Sequence, residues 1–238
     1  MIFRKPGWKQ PLTKIKINGC RIIPTSFVKY LGIYLDEFLN GSAHCEQLST
    51  KLGRANGMLA KTRYHLKNCP EHIKTLYFSI FSSHMTYGCQ TWGQTYNKHF
   101  KRIEVLQNNA IRIINFSPSK RDGVTPFYKM SKILKLRDHI TMLNILFVHD
   151  FINNKLPICF QSFFKLRKDL HSHDTKFAKS GKLYEPRVNS KNYGSDSIKL
   201  KCIKQWNDFL DLYPETDFTI INRKALQKKV TNHFLNLD

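Results

Sequence analysis

Two adjacent acidic residues close the stretch VKYLGIYLDE (28–37), where they could take part in metal-dependent chemistry. Asp36 and Glu37 follow a run of strand-favouring residues, and Glu46 comes next, on a predicted helix. Two-metal phosphoryl transfer needs two or three carboxylates around ions about 3.5–4 Å apart. Neighbouring strand residues point to opposite faces, so a nuclease would have to pair Asp36 with Glu46. The five-strand βα pattern of such a nuclease is absent, and we favour a structural role in which Asp36 and Glu37 end the strand and solubilise a turn.

A second group of possible metal ligands lies in a polar stretch further along the chain. His171, His173 and Asp174 stand close together, but no fourth ligand accompanies them. The sequence also has no nucleophile elbow and no glycine-rich phosphate loop. We therefore predict no catalytic residue, no metal site and no cofactor in this chain.

The charge of the chain indicates a polyanionic partner. The 238 residues include 39 Lys and Arg against 17 Asp and Glu, a formal charge of +22. Such an excess repels itself in a compact fold and favours nucleic acid as the partner. Residues 1–67 have 12 basic and 3 acidic side chains, so we expect the binding face near the N-terminal third.

Several features argue against a membrane or secreted protein. The most apolar run, 143–152, is interrupted by His149 and Asp150, and the first eleven residues have no apolar signal core. The six cysteines form no C-x2-C pair and are interpreted as reduced thiols. We expect an intracellular protein, nuclear or cytoplasmic.

The pattern of apolar residues predicts a mainly α fold, with a helical bundle and a small N-terminal antiparallel sheet. In LTKIKINGCRII (12–23), two strand-like runs flank Asn18-Gly19, the pair favoured in type I′ hairpins. The stretch 28–37 is predicted as a third strand with Gly32 inside it, where a glycine often permits close backbone approach.

Helical periodicity begins at Ala43. Leu48, Leu52 and Leu59 fall on one face of the first predicted helix, and basic residues fall on another. Further helices are predicted at about 70–88, 98–115, 126–131, 137–153, 196–211 and 219–235. We divide the chain into a hairpin and strand (1–40), a helical region (41–157), and a C-terminal region (158–238) with a long polar loop (171–195) and two helices.

The order of several short segments resembles one protein family. The segments are KYLGIYLDE, KLGRANGMLAK, SSHMTYGCQTWG, LQNNAIRII, NILFVHDFINNKLP, HSHDTK and YGSDSIKLKCIKQWN. This order resembles the C-terminal part of non-LTR (LINE-type) retrotransposon reverse transcriptases, from about residue 12 to 210. Two positions depart from the family pattern: Lys176 stands where arginine is common, and Asp208-Phe209-Leu210 replaces a leucine-proline pair. Lysine lacks the forked geometry with which arginine contacts phosphate.

The resemblance implies the end of the palm, a thumb and a region beyond. The catalytic Tyr-x-Asp-Asp turn and its Mg²⁺ would belong to a palm upstream, and this sequence has no Asp-Asp pair. We therefore expect a C-terminal fragment of an RNA-directed DNA polymerase that is inactive alone.

By the same resemblance, the chain would grip an RNA–DNA or DNA duplex through its phosphate backbone, without reading sequence. The predicted binding residues are Lys14, Lys16, Arg21, Lys29, Gly32, Lys51, Arg54, Lys61 and Arg63. Two alternatives remain open. One is a protein-interaction or assembly module that meets the rest of a reverse transcriptase or a host protein. The other is the metal nuclease that uses Asp36 and Glu46.

Overall fold

The structure, a computed structural model, describes residues 1–5, 7–8, 15–93, 97–117, 123–167, 181–189, 194, 196–218 and 220–236. Its packing forms two compact units, residues 1–127 (unit 1) and 128–238 (unit 2). The predicted mainly α class is confirmed. The unit boundary lies inside the predicted helical region 41–157, and the division into three regions stays a prediction.

A β-hairpin opens the described part of unit 1, as the sequence predicts. Strands β1 (Lys16–Ile17) and β2 (Cys20–Arg21) pair antiparallel. The turn residues Asn18 and Gly19 have φ angles of 48° and 77°, which is the conformation that a type I′ turn requires.

The stretch 28–37 is a second hairpin, so the prediction of a single third strand is wrong. Strands β3 (Phe27–Tyr30) and β4 (Ile33–Asp36) pair antiparallel around Leu31 and Gly32, whose φ angles are 45° and 83°. Leucine is uncommon at positive φ, and here the Tyr87 hydroxyl donates to the Leu31 carbonyl at 2.7 Å. A Cβ atom on Gly32 would lie 3.0 Å from the Tyr87 ring. A distant tyrosine therefore supports a turn that the local sequence does not signal.

The helices of unit 1 form around a long first helix, α1 (Ser42–Thr62). They continue with α2 (Pro70–Leu76), a π-helical segment (Tyr77–Ser82), α3 (Ser83–Thr86), α4 (Cys89–Trp92) and α5 (Asn97–Ile114). Leu52 and Leu59 of α1 are fully buried, as is Ile103 of α5. The Asn56 side chain donates to the Leu106 carbonyl at 3.0 Å and joins α1 to α5.

Unit 2 has its core around Trp206. Helix α6 (Thr125–Ser131) comes first in the sequence. The helices after it are α7 (Leu136–Ile152), α8 (Ile198–Leu212) and α9 (Arg223–Leu235), with a 3-10 turn at Ile158–Phe160. No helix within the described ranges has the length and apolar character needed to cross a membrane.

Part of the predicted polar loop 171–195 packs onto helix α8. Residues 168–180, 190–193 and 195 lie outside the described residues, but residues 181–189 are described. Leu183 is fully buried, and the Asn207 side chain binds both its backbone N–H (2.9 Å) and its carbonyl (3.0 Å). The Trp206 indole donates to the Gly181 carbonyl at 3.1 Å. The composition of this stretch predicts a loop and gives no sign of this docking.

Candidate nucleic-acid interface

Three predicted binding residues form one exposed line along helix α1. Lys51, Arg54 and Lys61 are all exposed, and at roughly 100° per residue they fall within an arc about 80° wide. At about 1.5 Å per residue, the line runs for about 15 Å. We call these three residues the basic stripe. Among the described residues, no carboxylate lies within ion-pair distance of them. Three cations therefore face solvent without an acidic partner in the described ranges.

Asp36 shapes the turn that leads into α1. This carboxylate is buried, with 6% of its surface exposed. Its Oδ1 accepts from the backbone N–H groups of Phe38 and Asn40, at 3.1 and 3.0 Å, and its Oδ2 accepts from Gly41 at 2.8 Å. Gly41 is the residue before α1 and has a φ angle of 72°. Asp36 therefore stabilises the β4–α1 connection from inside the protein and does not solubilise an exposed turn.

Glu46, the second residue of the nuclease alternative, and Glu37, the neighbour of Asp36, also have ordinary surroundings. Glu37 forms an ion pair with Arg4 at 3.0 Å, and Glu46 is exposed on α1. In the part of the chain that the structure describes, no three His, Cys, Asp or Glu side chains are grouped as metal ligands would be. With the Asp36 oxygens already bound to three backbone N–H groups, these residues do not fit a Mg²⁺ ion. The His171, His173 and Asp174 group lies outside the described residues.

A small groove joins the β3–β4 hairpin to α1 and α3, and it brings two predicted binding residues together. Gly32 and Lys51, nineteen positions apart in the sequence, both line it. The complete lining is Gly32, Tyr34, His44, Gln47, Leu48, Lys51, His84 and Tyr87. Gly32 has a packing role here, because its missing side chain makes room for Tyr87.

His44 is the buried polar group of this groove. Its Nδ1 accepts from the Tyr34 backbone N–H at 3.4 Å, and its ring lies 5.3 Å from that of Trp92. Burial, and then the charge of Lys51, lowers the pKa of His44 from 6.5 to about 4. The imidazole is therefore neutral at physiological pH, with its hydrogen on Nε2. No described residue pairs with that Nε2.

The remaining predicted residues of the hairpins are not among the groove-lining residues. Lys29 lies opposite Tyr34 across β3 and β4, with its Nζ 5.8 Å from the Tyr34 ring centre. Lys16 and Arg21 are directly paired across the first hairpin and are both exposed. Lys14 lies outside the described residues.

Arg63 differs from the basic stripe. It directly follows the last residue of α1. Its guanidinium lies 4.8 Å from the Tyr64 ring centre and 5.6 Å from that of Phe116. The side chain is half-buried between these two rings, so it presents less charge to solvent than Lys61 does.

Sequence reasoning missed His44 and Tyr87 as parts of this region. His44 occurs four residues before Leu48, on the apolar face of α1, and a histidine there is easily taken for a core residue. Tyr87 belongs to the segment SSHMTYGCQTWG, but its contact with the turn at Leu31 spans 56 positions. No local pattern encodes such a contact.

Comparison with known proteins places the relatives of this chain among RNA-directed DNA polymerases of mobile elements. One is the "Probable RNA-directed DNA polymerase from transposon X-element" of Drosophila melanogaster, 35% identical over 91 residues, which are 36% of this chain and 10% of that protein. Another is the "RNA-directed DNA polymerase from mobile element jockey" of the same species, 31% identical over 108 residues, 44% of this chain and 12% of that protein. The "Probable RNA-directed DNA polymerase from transposon BS", also from this fly, is 29% identical over 122 residues, 47% of this chain and 12% of that protein.

The predicted resemblance is therefore confirmed: part of the chain is similar to the reverse transcriptases of non-LTR retrotransposons. The matched segments amount to only about a tenth of the length of these relatives. No family model matches the chain. No solved structure matches it either.

Proposed function

We propose that unit 1 binds template–primer nucleic acid through the phosphate backbone, as part of a reverse transcriptase, without contributing catalytic carboxylates. The observation that carries the proposal is the basic stripe. Three cations follow one side of a single helix, without a carboxylate in reach among the described residues. A line of positive charge without nearby acidic partners suits the phosphate backbone of a nucleic acid.

The charge balance of the two units supports this choice of surface. Residues 1–127 hold 19 Lys and Arg against 6 Asp and Glu, and residues 128–238 hold 20 against 11. In unit 2, acidic side chains neutralise several cations, as in the pairs Lys201–Asp196 and Lys204–Glu185. Unit 1 has fewer acidic groups for its cations, which leaves more positive charge for an external polyanion.

The groove beside the stripe extends the proposed contact toward the hairpin. Lys51 belongs both to the stripe and to the groove lining. The His44 Nε2–H is a donor without a described partner in the same lining. A phosphate oxygen in the groove is an acceptor for Lys51, whose side chain is exposed, whereas His44 Nε2 is buried behind the lining. Lys51 therefore supplies the charge of the groove, and neutral His44 adds no second charge beside it.

Salt dependence of binding tests the proposal. Wild-type protein is titrated against a fluorescent 20-base-pair RNA–DNA hybrid between 50 and 200 mM salt. Each phosphate contact contributes about 0.9 to the slope of log Kobs against log salt. The variant Lys51→Gln, Arg54→Gln, Lys61→Gln should therefore bind more weakly and lose about 2.7 from the magnitude of the slope.

A second triple variant controls for total charge. Arg187, Lys224 and Lys228 are exposed residues of unit 2, and changing all three to Gln removes the same number of charges. We expect this variant to keep nearly the wild-type slope. Equal losses in the two variants would show that net charge, and not the stripe, determines binding. Absence of hybrid binding by the wild type at 50 mM salt would refute the proposal.

The hairpins support a second candidate function, contact with another part of the polymerase. Large apolar side chains of both hairpins and of the connection between them are exposed: Ile17 (59%), Ile23 (77%), Tyr30 (64%) and Leu31 (74%). Short hairpins are marginally stable without packing on one face, and these residues would supply that face.

A binding assay tests this candidate with the jockey polymerase outside its matched segment as the partner. We expect the wild-type chain to bind it, and the double variant Ile17→Lys, Leu31→Lys to lose binding, because both changes put charge on the apolar face. The control is Ile220→Lys, at an 82% exposed position of unit 2. Equal binding by the wild type and the double variant would exclude the hairpins as the contact surface.

A further inference from the structure

An exposed tyrosine stands at the end of α1, where the basic stripe also ends. Tyr64 has 70% of its surface exposed. The Arg63 guanidinium lies 4.8 Å from its ring centre, and an Arg63 N–H donates to the Tyr64 hydroxyl at 3.4 Å. The same guanidinium lies 5.6 Å from the Phe116 ring centre, just beyond α5. Phe116, Arg63 and Tyr64 thus form one set of contacts, which we call the Tyr64 platform.

The platform holds an aromatic ring in place without burying it. Tyrosine rings that stabilise a fold are normally covered, as Tyr77 is in this protein. Arg63, half-buried, fixes Tyr64 on one side while most of the ring remains in contact with solvent. The Nε atom of Arg63 is buried, and no described residue accepts a hydrogen bond from it. The Arg63 side chain is thus held by contacts with two aromatic rings, while the outer face of the Tyr64 ring stays open to solvent.

The surroundings of the platform are cationic. Lys61, His65 and Lys67 are all exposed within three residues of Tyr64. The stripe residue Lys61 connects the platform to the line of cations along α1. An exposed ring beside basic side chains is the arrangement by which proteins bind single-stranded nucleic acid, since bases stack on the ring and cations follow the backbone.

We propose that Tyr64 stacks on an unpaired nucleobase of a strand that continues beyond the duplex. The inference rests on the proposed function, because the stripe would bring the duplex to α1, and it adds a contact of a different chemical kind. Phosphate contacts along the stripe need no base, whereas stacking on Tyr64 needs no particular base but does need an unpaired one. The charge of this end of α1 favours a polyanionic strand over a basic or neutral peptide.

The experiment compares three ligands that share one RNA–DNA hybrid. The first is blunt, the second has a four-nucleotide single-stranded extension, and the third has the same extension with abasic sugars in place of nucleotides. Wild-type protein should bind the extended hybrid roughly tenfold more tightly than the blunt one. The abasic extension, which keeps its phosphates, should recover little of this gain. A 2-aminopurine in the extension should change its fluorescence on binding.

Three substitutions assign the gain to the ring. Tyr64→Ala should remove the tenfold gain and the fluorescence change but leave affinity for the blunt hybrid within about twofold. Tyr64→Phe, which keeps the ring, should retain the gain. Tyr184→Ala changes an exposed tyrosine of unit 2 and should behave as wild type. Circular dichroism of each variant checks that it is folded.

The outcomes separate this inference from the proposed function. A gain that survives Tyr64→Ala, or that the abasic extension reproduces, overturns the platform and leaves backbone binding intact. Failure of the wild type to bind the blunt hybrid, with Tyr64-dependent binding of the single-stranded extension alone, overturns the duplex proposal and supports the platform. Equal affinity of the wild type for blunt and extended hybrids also refutes the platform. If an acidic peptide competes for binding only when Tyr64 is present, and the nucleotide extension gives no gain in affinity over the abasic one, the ring belongs to a contact with a protein partner.

Discussion

The buried histidine of the groove should make unit 1 less stable in mild acid. The pKa of His44 is lowered from 6.5 to about 4 by burial and then by Lys51. An unfolded chain takes up a proton on this residue as the pH falls below about 6.5, whereas the folded chain resists protonation until about pH 4. The contribution of His44 to stability is therefore complete above pH 6.5 and is lost progressively as the pH falls toward 4.

The size of this loss follows from the two pKa values. At pH 5, the unfolded state is almost fully protonated at His44 and the folded state is about one-tenth protonated. The difference lowers the free energy of unfolding by about 2 kcal/mol between pH 7 and pH 5. In hydrogen exchange, this corresponds to about a twentyfold loss of protection for amides that exchange by unfolding of unit 1.

The measurement is hydrogen exchange at the backbone amides of Leu52 and Leu59, which lie in the buried face of α1. The rates are corrected for the intrinsic pH dependence of exchange. His99 belongs to the same unit, and its pKa is also lowered, by burial and then by Lys98. The contribution of His44 is therefore the difference between the wild type and His44→Phe, which keeps a ring against Trp92 but cannot titrate.

Between pH 7 and pH 5, the loss of hydrogen-exchange protection should be about twentyfold smaller in His44→Phe than in the wild type. A control, His65→Gln at an exposed position, should leave the effect unchanged. An identical pH dependence in the wild type and His44→Phe would show that His44 is accessible to protons in the folded state, contrary to its burial.

Three further predictions concern structural contacts. Asp36→Ala should lower the free energy of unfolding of unit 1 by about 3 kcal/mol in chemical denaturation, because three backbone N–H groups lose a charged acceptor. Asp36→Asn should lower it less, since the amide keeps one oxygen. Equal losses in the two variants would contradict this geometry. Asn207→Ala should lower the stability of unit 2 by about 2 kcal/mol and expose 181–189 to limited proteolysis, whereas unchanged cleavage would show that its bonds to Leu183 do not hold the segment. The amides of Ile15 and Ile17 should exchange rapidly in the isolated chain, since β1 and β2 have two residues each, and strong protection there would refute an unsupported hairpin.

Several elements could be predicted because their causes are local. Asn18-Gly19 adopts positive φ at both residues with little strain, and the first hairpin follows from that preference. Pro70 lacks an N–H that the first turn of a helix does not need, and α2 begins there. The exposure of the stripe residues on α1 follows from the spacing of apolar residues around the helix.

The candidate site could be predicted only in part. Lys51, Arg54 and Lys61 are exposed on one helix, as expected, whereas Gly32 packs against Tyr87 and Arg63 is half-buried between two rings. A sequence pattern indicates which residues share a helix face. It carries no information about which distant side chain will occupy the space beside a glycine or an arginine.

The sequence by itself determined the mainly helical class, the first hairpin, the excess of positive charge and the relationship to mobile-element polymerases, since each depends on short-range preferences, composition or residue identity. Only the tertiary structure decided that Leu31 and Gly32 turn back on themselves, that Asp36 faces inward, and that a described part of the polar loop docks at Leu183. The turn at Leu31 and the docking at Leu183 depend on hydrogen bonds between residues 56 and 24 positions apart, and the inward orientation of Asp36 depends on its burial under the rest of unit 1. The free energy that fixes such positions comes from packing and from partners elsewhere in the fold, which a short stretch of sequence does not contain.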